Sequence, residues 1–281
     1  MVGTIIIWNW TFSNTYPYNL LLKNYMKTIS VLGTGWLGKP LAISLLEDGF
    51  EVKGSTRTES KLPILEELGI EAYQVDIEEY EEVDLFLQSD ILIVNITSKD
   101  IDAYQRLIEQ IEESKIQKVL FVSSTSVYPN TNAVITEDNQ TVDEPLTYIE
   151  DLFRKNKFFD TTILRFAGLF GPGRHPGNWF REGRLIPQPD GFVNMIHQED
   201  CIEIIHNIIA QNCWNITLNA CSNHHPTRRE FYTNAKLSLG FEVPSFIKTD
   251  IPLFKIISSK RLIDVLSYEF IHDDLLNINV G

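Results

Sequence analysis

Thr28-Ile29-Ser30-Val31-Leu32-Gly33-Thr34-Gly35-Trp36-Leu37-Gly38 is the stretch that decides the fold. A short β-rich run enters a GxGxxG loop directly, and Leu37–Leu46 then takes up helical spacing. Gly33 permits a tight turn, Gly35 lets a backbone approach a pyrophosphate, and Gly38 lets the helix pack close to the strand. Free N–H groups and a partial positive charge at the helix start face the phosphates. A lone GxGxxG is a weak motif; the strand before it and the helix after it give it weight. Gly33, Thr34, Gly35, Trp36, Leu37 and Gly38 are therefore candidate dinucleotide contacts.

Outward from this loop, β-rich and helical segments alternate. Strand-like runs are Thr28–Leu32, Phe50–Lys53, Glu71–Val75, Ile91–Asn95, Lys118–Ser123 and Thr161–Phe166. Helical stretches are Leu37–Leu46, Glu59–Leu68, Glu82–Leu87 and Ile101–Ser114. Near-continuous apolar strands alternating with helices indicate a parallel sheet covered on both faces. The expected fold class is α/β, a doubly wound parallel sheet of Rossmann type with a small C-terminal substrate lobe. Residues 26–166 form the nucleotide-binding domain on this reading. Residues 167–281 form a mixed part whose helix near 198–210 returns to the core. Pro129–Leu146 reads as an irregular surface excursion. Residues 1–25 stand apart, with Lys23 as their one charge and two of the five tryptophans. An over-extended start before Met26, a disordered extension and a targeting segment are the three readings.

The end of the second strand chooses between cofactors. NAD binders place an acid about 20 residues after the loop, whereas this chain has Gly54-Ser55-Thr56-Arg57-Thr58. Arg57 with the hydroxyls of Ser55 and Thr56 suits a 2′-phosphate, so NADP is preferred over NAD. Asp76 and Ile77 should meet the adenine edge, and Ile96 and Thr97 should run beside the cofactor ribose. The chain has 281 residues, 43% of them hydrophobic, and a net charge of −14. That acidity argues against a nucleic-acid partner. No apolar run approaches the roughly 18–20 residues of a membrane span. Cys201, Cys213 and Cys221 are too few and too scattered for a disulfide framework or a zinc site. Reduced thiols in a cytoplasmic chain, with no metal, are the expectation.

Phe121-Val122-Ser123-Ser124-Thr125-Ser126-Val127-Tyr128 closely resembles the SSxxVYG segment of extended short-chain dehydrogenases/reductases, the NAD-dependent epimerase/dehydratase family. Leu164–Gly173 is similar to that family's LRxxxxYGPG stretch, Asn194–Asp200 to IHVDD, and Leu266–Phe270 to LGYxF. The resemblance implies that Ser123 lies at the cofactor and that Ser124 is the catalytic serine. It also exposes a departure, since the family's Tyr-x-x-x-Lys pair is missing. Tyr148 is the nearest tyrosine, but Leu152 stands four residues later, and Lys155 and Lys157 are read as out of phase. The segment before Arg165 is read as too short for the family's usual helix. This departure resembles the atypical, YeeZ-like branch. Tyr128 is read as a packing residue.

Gly171–Gly177 should border the substrate cleft, with Arg174 and His175 as substrate-binding candidates. Arg181 and Arg184 extend the positive cluster toward an anionic ligand. His197 reads as a turn-fixing residue, and His224-His225 as loop rather than metal ligands. Two functional classes stay open. One is an NAD(P)-dependent oxidoreductase or epimerase acting on a small polar substrate, which the arginines allow to be anionic. The other is a catalytically inactive NADP-binding or sensor protein. A homodimer through two helices is the assembly the resemblance implies.

Overall fold

The computed structural model describes residues 27–79, 83–180 and 183–277. Its first half alternates strand and helix: β1 (Thr28–Leu32), α1 (Gly38–Glu47), β2 (Glu51–Thr56), α2 (Leu62–Glu67), β3 (Glu71–Gln74), β4 (Ile91–Val94), α3 (Ile101–Glu113) and β5 (Lys118–Ser124). A two-residue strand β6 (Val134–Ile135) precedes α4 (Pro145–Lys155) and β7 (Asp160–Phe166). The remainder holds β8 (Gly168–Phe170), β9 (Met195–His197), α5 (Gln198–Ala210), β10 (Ile216–Ala220), α6 (Arg228–Ser238), β11 (Ile256–Ile257) and α7 (Lys260–Leu266).

Seven strands form one parallel sheet in the order β10-β7-β5-β4-β1-β2-β3. The period of two along each strand divides its side chains between two cores. Ile29, Val31, Ile91, Ile93 and Leu120 pack on one face with α1 and α5. Leu32, Leu92, Val94, Val119 and Phe121 pack on the other with α3 and α4. Both faces are buried, so these strands read as continuous apolar runs. The chain winds outward in both directions from β1, and the order reverses between β1 and β4. In such a sheet the crevice outside the carboxyl ends at that point is the ligand position.

A smaller body sits beyond these strand ends. It pairs β8 with β9 and β6 with β11. Its own core holds Phe170, Ile186, Val193, Phe231 and Leu275.

The doubly wound sheet agrees with the sequence reading, and the differences are local. The main sheet takes one more strand, β10, whose mixed burial pattern carries a weak sequence signal. The segment before Arg165 does contain a helix, α4, which starts inside the stretch read as irregular. Pro145 at its first turn and a capping box between Glu144 and Thr147 start it. The expected helix Glu82–Leu87 lies partly outside the described residues, and 84–87 is a turn. Residues 1–25 and Arg181 also lie outside them.

Candidate functional site

The glycine loop sits at the switch point, between the ends of β1 and β4. Gly33 has φ +98, and a Cβ there would stand 2.5 Å from the Asn95 carbonyl oxygen. A Cβ on Gly38 would stand 2.1 Å from the Gly33 oxygen. Asn95 closes the contact by donating its side-chain amide to that oxygen at 3.0 Å. Gly35 is different. It has no left-handed φ, and a Cβ on it would meet nothing within 4 Å. Neither a left-handed φ nor protein packing requires glycine there, and the space beside it is open. The amino end of α1 matches: no side chain caps it and no acid stands in its first turn. This cradle fits a dinucleotide pyrophosphate.

The rim beside β2 carries Ser55, Thr56 and Arg57. Ser55 is buried, and its hydroxyl accepts the Gly33 N–H at 3.0 Å while its carbonyl accepts the Thr34 N–H at 2.9 Å. Its side chain thus braces the glycine loop from behind instead of facing a ribose. The Thr56 hydroxyl accepts the Thr58 N–H. Arg57 is 70% exposed, with its guanidinium 3.7 Å from Asp76. Asp76 and Ile77 border a recess shared with Ala103, Arg106 and Leu107. Ile96 touches the Gly33 turn, and Thr97 is exposed beside it.

At the end of β5 the two serines part company. The Ser123 hydroxyl donates to Glu150 at 2.6 Å inside the core. Glu150 in turn accepts from Arg165, whose other amino group donates to the Tyr128 hydroxyl, and Tyr128 donates to Asn219 at 2.9 Å. Burial pushes the Tyr128 phenol up, against the pull of Arg165 and Asn219. Ser123 and Tyr128 therefore belong to a buried polar chain that ties α4, β7 and β10 together. Ser124 is only half-buried; its oxygen accepts the Ser126 N–H at 3.1 Å, which leaves its O–H to donate elsewhere.

Helix α4 turns Leu146, Ile149 and Phe153 inward, together with Glu150, whose carboxylate is taken up by Ser123 and Arg165. Tyr148 is 52% exposed and lines an outer groove between α3 and α4 with Leu152 and Lys155. Lys155 thus shares its face two turns on, contrary to the phase expected, and is held by Asp151 at 2.7 Å. Lys157 lies beyond the helix end. A different lysine holds the turn that follows Ser124. Lys255, from the smaller body, donates to the Thr125 carbonyl at 2.8 Å and the Tyr128 carbonyl at 2.5 Å. Burial pushes its ammonium down. Nothing in the local sequence marks it, because the contact spans 130 residues.

The Gly171–Gly177 loop faces the glycine loop from the other side. The Trp36 indole N–H donates to the Pro172 carbonyl at 2.8 Å, and the Arg174 guanidinium stacks 4.9 Å from the Trp36 ring centre. His175 turns inward, where Nδ1 accepts the Gly177 N–H at 3.0 Å and burial pushes its pKa down. Arg184 lies over the Phe180 ring. His197 caps α5 by accepting the Glu199 N–H on Nδ1 at 3.2 Å. That bond leaves the proton on Nε2, which is buried without a partner among the described residues. Glu199 and His272 stand close to it, but a metal on Nε2 would need an imidazolate or a broken cap. His224 contacts Asp274 and His225 the Val193 carbonyl. The three cysteines are free thiols.

A glycine cradle at the switch point of a doubly wound sheet defines a dinucleotide-binding protein. Comparison with known proteins gives the same class: the chain belongs to the NAD(P)H-binding family, whose profile matches residues 33–193. More narrowly it belongs with Protein YeeZ of Escherichia coli strain K12, to which it is 31% identical over 272 residues, covering 89% of this chain and 98% of YeeZ. Solved structures share the fold. One is a putative NAD-dependent epimerase/dehydratase from Methylobacillus flagellatus, with TM-score 0.76, 22% identity and coverage of 89% and 94% of the two chains. Another is a short-chain dehydrogenase/reductase superfamily protein from Agrobacterium tumefaciens with bound NAD, with TM-score 0.71, 15% identity and coverage of 89% and 94%. MoeE5 in complex with UDP-glucose and NAD has TM-score 0.71, 16% identity and coverage of 86% and 93%. Among the described residues no helix is long and apolar enough to cross a membrane.

Proposed function

We propose that this protein is an NADP-dependent oxidoreductase or epimerase acting on a small polar, anionic substrate, with an active site that works without a Tyr-x-x-x-Lys pair. The observation that carries the reading is the open space at Gly35, a glycine with no reason inside the protein. Bound there, the cofactor supplies a hydride acceptor or donor. Gly33, Gly35, Gly38 and the amino end of α1 hold its phosphates, Asp76 and Ile77 the adenine, and Ile96 and Thr97 the ribose. Arg57 takes the 2′-phosphate; its weak, exposed contact with Asp76 costs little to exchange.

Ser124 hydrogen-bonds the substrate oxygen with the O–H that the Ser126 contact leaves available. Lys255 positions it, gripping both ends of the turn that Ser124 begins and bringing to that turn the cation which α4 lacks. Arg184, over the Phe180 ring, makes the substrate side of the cleft basic, which favours an anion. The smaller body beyond β7, residues 167–281 apart from the returning α5 and β10, forms the substrate lobe. Two copies pair through the outer faces of α3 and α4, where Phe158 is 71% exposed beside the groove.

A second reading is favoured by one observation. Ser123 and Tyr128 are consumed in the core, and so is Glu150 on the inner face of α4, as in a protein that binds NADP without turnover. A crystal structure with NADPH and a substrate analogue separates the two. The enzyme reading expects the Ser124 hydroxyl within about 3–4 Å of the ligand atom placed against nicotinamide C4. Only apolar groups around that atom would favour the sensor.

A further inference from the structure

We propose that Arg174 is a clamp on the cofactor: its guanidinium, seated on the Trp36 ring over the glycine loop, binds the pyrophosphate that the amino end of α1 faces. The assignment rests on the NAD(P)-binding reading and gives the anion taken by this loop a definite identity.

Trp36 stands between Gly35 and the start of α1 and so belongs to the phosphate-facing segment. Two contacts hold it still. Its backbone carbonyl accepts the Gln198 side-chain amide at 2.7 Å, and its indole N–H donates to Pro172 at 2.8 Å across 136 residues of sequence. The ring is thus a fixed platform, and Arg174 lies on it at 4.9 Å. Stacking uses the guanidinium face and leaves its edge N–H groups to bind an oxyanion.

The turn that delivers Arg174 is also fixed. The Arg174 N–H returns to the Gly171 carbonyl at 2.9 Å, and Gly171 and Gly173 hold φ of +148 and +70. Only glycine adopts such values at low cost. Charge points the same way. Arg57, Arg154, Arg165, Arg229 and Arg261 each face a carboxylate, whereas Arg174 pairs with none among the described residues. The first turn of α1 brings no acid, and no side chain of the protein crowds Gly35. An exposed guanidinium, an uncapped helix end and an open glycine face converge on one anion. A substrate, by contrast, has to reach the far side of the nicotinamide, beside Ser124.

The test is fluorescence titration of the full chain with NADPH and NADH, for the natural protein and for Arg174→Ala, Arg174→Lys and Trp36→Phe. Arg174→Ala should weaken the dinucleotide about ten- to a hundredfold, the range of a charge-assisted hydrogen bond. Arg174→Lys should recover part of this, and Trp36→Phe, which loses the bond to Pro172, should also weaken binding. Titration with 2′-AMP, which has no 5′-phosphate, should be unchanged by Arg174→Ala. UDP-glucose serves as the probe for a pyrophosphate-bearing substrate. Unchanged dinucleotide affinity in Arg174→Ala, or a loss confined to UDP-glucose, overturns the clamp while the cofactor reading stands. A natural protein that binds neither dinucleotide removes the cofactor reading and the clamp together. Arg174 is exposed, so an unaltered thermal melt should accompany Arg174→Ala and Arg174→Lys.

Discussion

At the scale of single residues, glycines that look alike in the sequence do different work. Gly33 and Gly38 are required by the protein, through a left-handed φ at one and a 2.1 Å approach at the other. Gly35 has no such need inside the protein, and on the proposed reading its open face admits the cofactor. Gly38→Ala should therefore lower stability as well as binding. Gly35→Ala should leave the melting temperature unchanged or raise stability by up to about 1 kcal/mol through a stiffer unfolded chain, while dinucleotide affinity falls at least about tenfold. Paired melts and titrations check the contrast. The buried pair Glu150–Arg165 supplies a second test. Glu150 is 1% exposed and Arg165 4%, so Glu150→Ala should cost about 3–5 kcal/mol in urea unfolding by stranding a charge. Arg154→Ala, on the exposed side of the same carboxylate, should cost under about 1 kcal/mol. The GxGxxG spacing was legible because its glycines stand together in one strand–loop–helix segment. The roles of Ser55, Ser123 and Lys255 were not, because their partners lie 22, 27 and 130 residues away.

Among the elements, those with the plainest periodicity were the easiest to read. β1 and α3 stand within a residue of where their pattern puts them, since each buries a continuous face against its neighbours. α4 escaped because its inner face mixes Ile149 and Phe153 with Glu150, a charge that only the distant Arg165 makes tolerable. α5 is capped by an imidazole, and this gives its stability a pH dependence. Burial, with His272 beside it, pushes the His197 pKa down to about 4. The unfolded chain takes up that proton near pH 6.5 and the folded one does not until about pH 4. The stabilisation is fully present above pH 6.5 and is lost as pH falls toward 4, by at most about 1.4 kcal/mol per unit. His197→Asn keeps a capping side chain but does not titrate, so its urea midpoint should fall less steeply across that window. Equal slopes for the two proteins would mean that His197 is not the group responsible.

For the whole molecule, the sheet order carries the functional argument. By reversing between β1 and β4, it brings the glycine loop, the Arg57 rim, the Ser124 turn and the Arg174 loop around one crevice, although they span 140 residues of sequence. The alternation of strands and helices announced this architecture, because both faces of a parallel sheet must be apolar. The strand β10 and the packing of the smaller body depended on contacts that no local pattern records. The proposed NADP site lies at that crevice, with Arg57 as the residue proposed to recognise the 2′-phosphate. Fluorescence titration of the full chain with NADPH and NADH, repeated on Arg57→Ala, tests it most directly. The account predicts NADPH binding about tenfold tighter than NADH or better, and loss of that preference in the variant. Tighter binding of NADH, unaffected by Arg57→Ala, would contradict it.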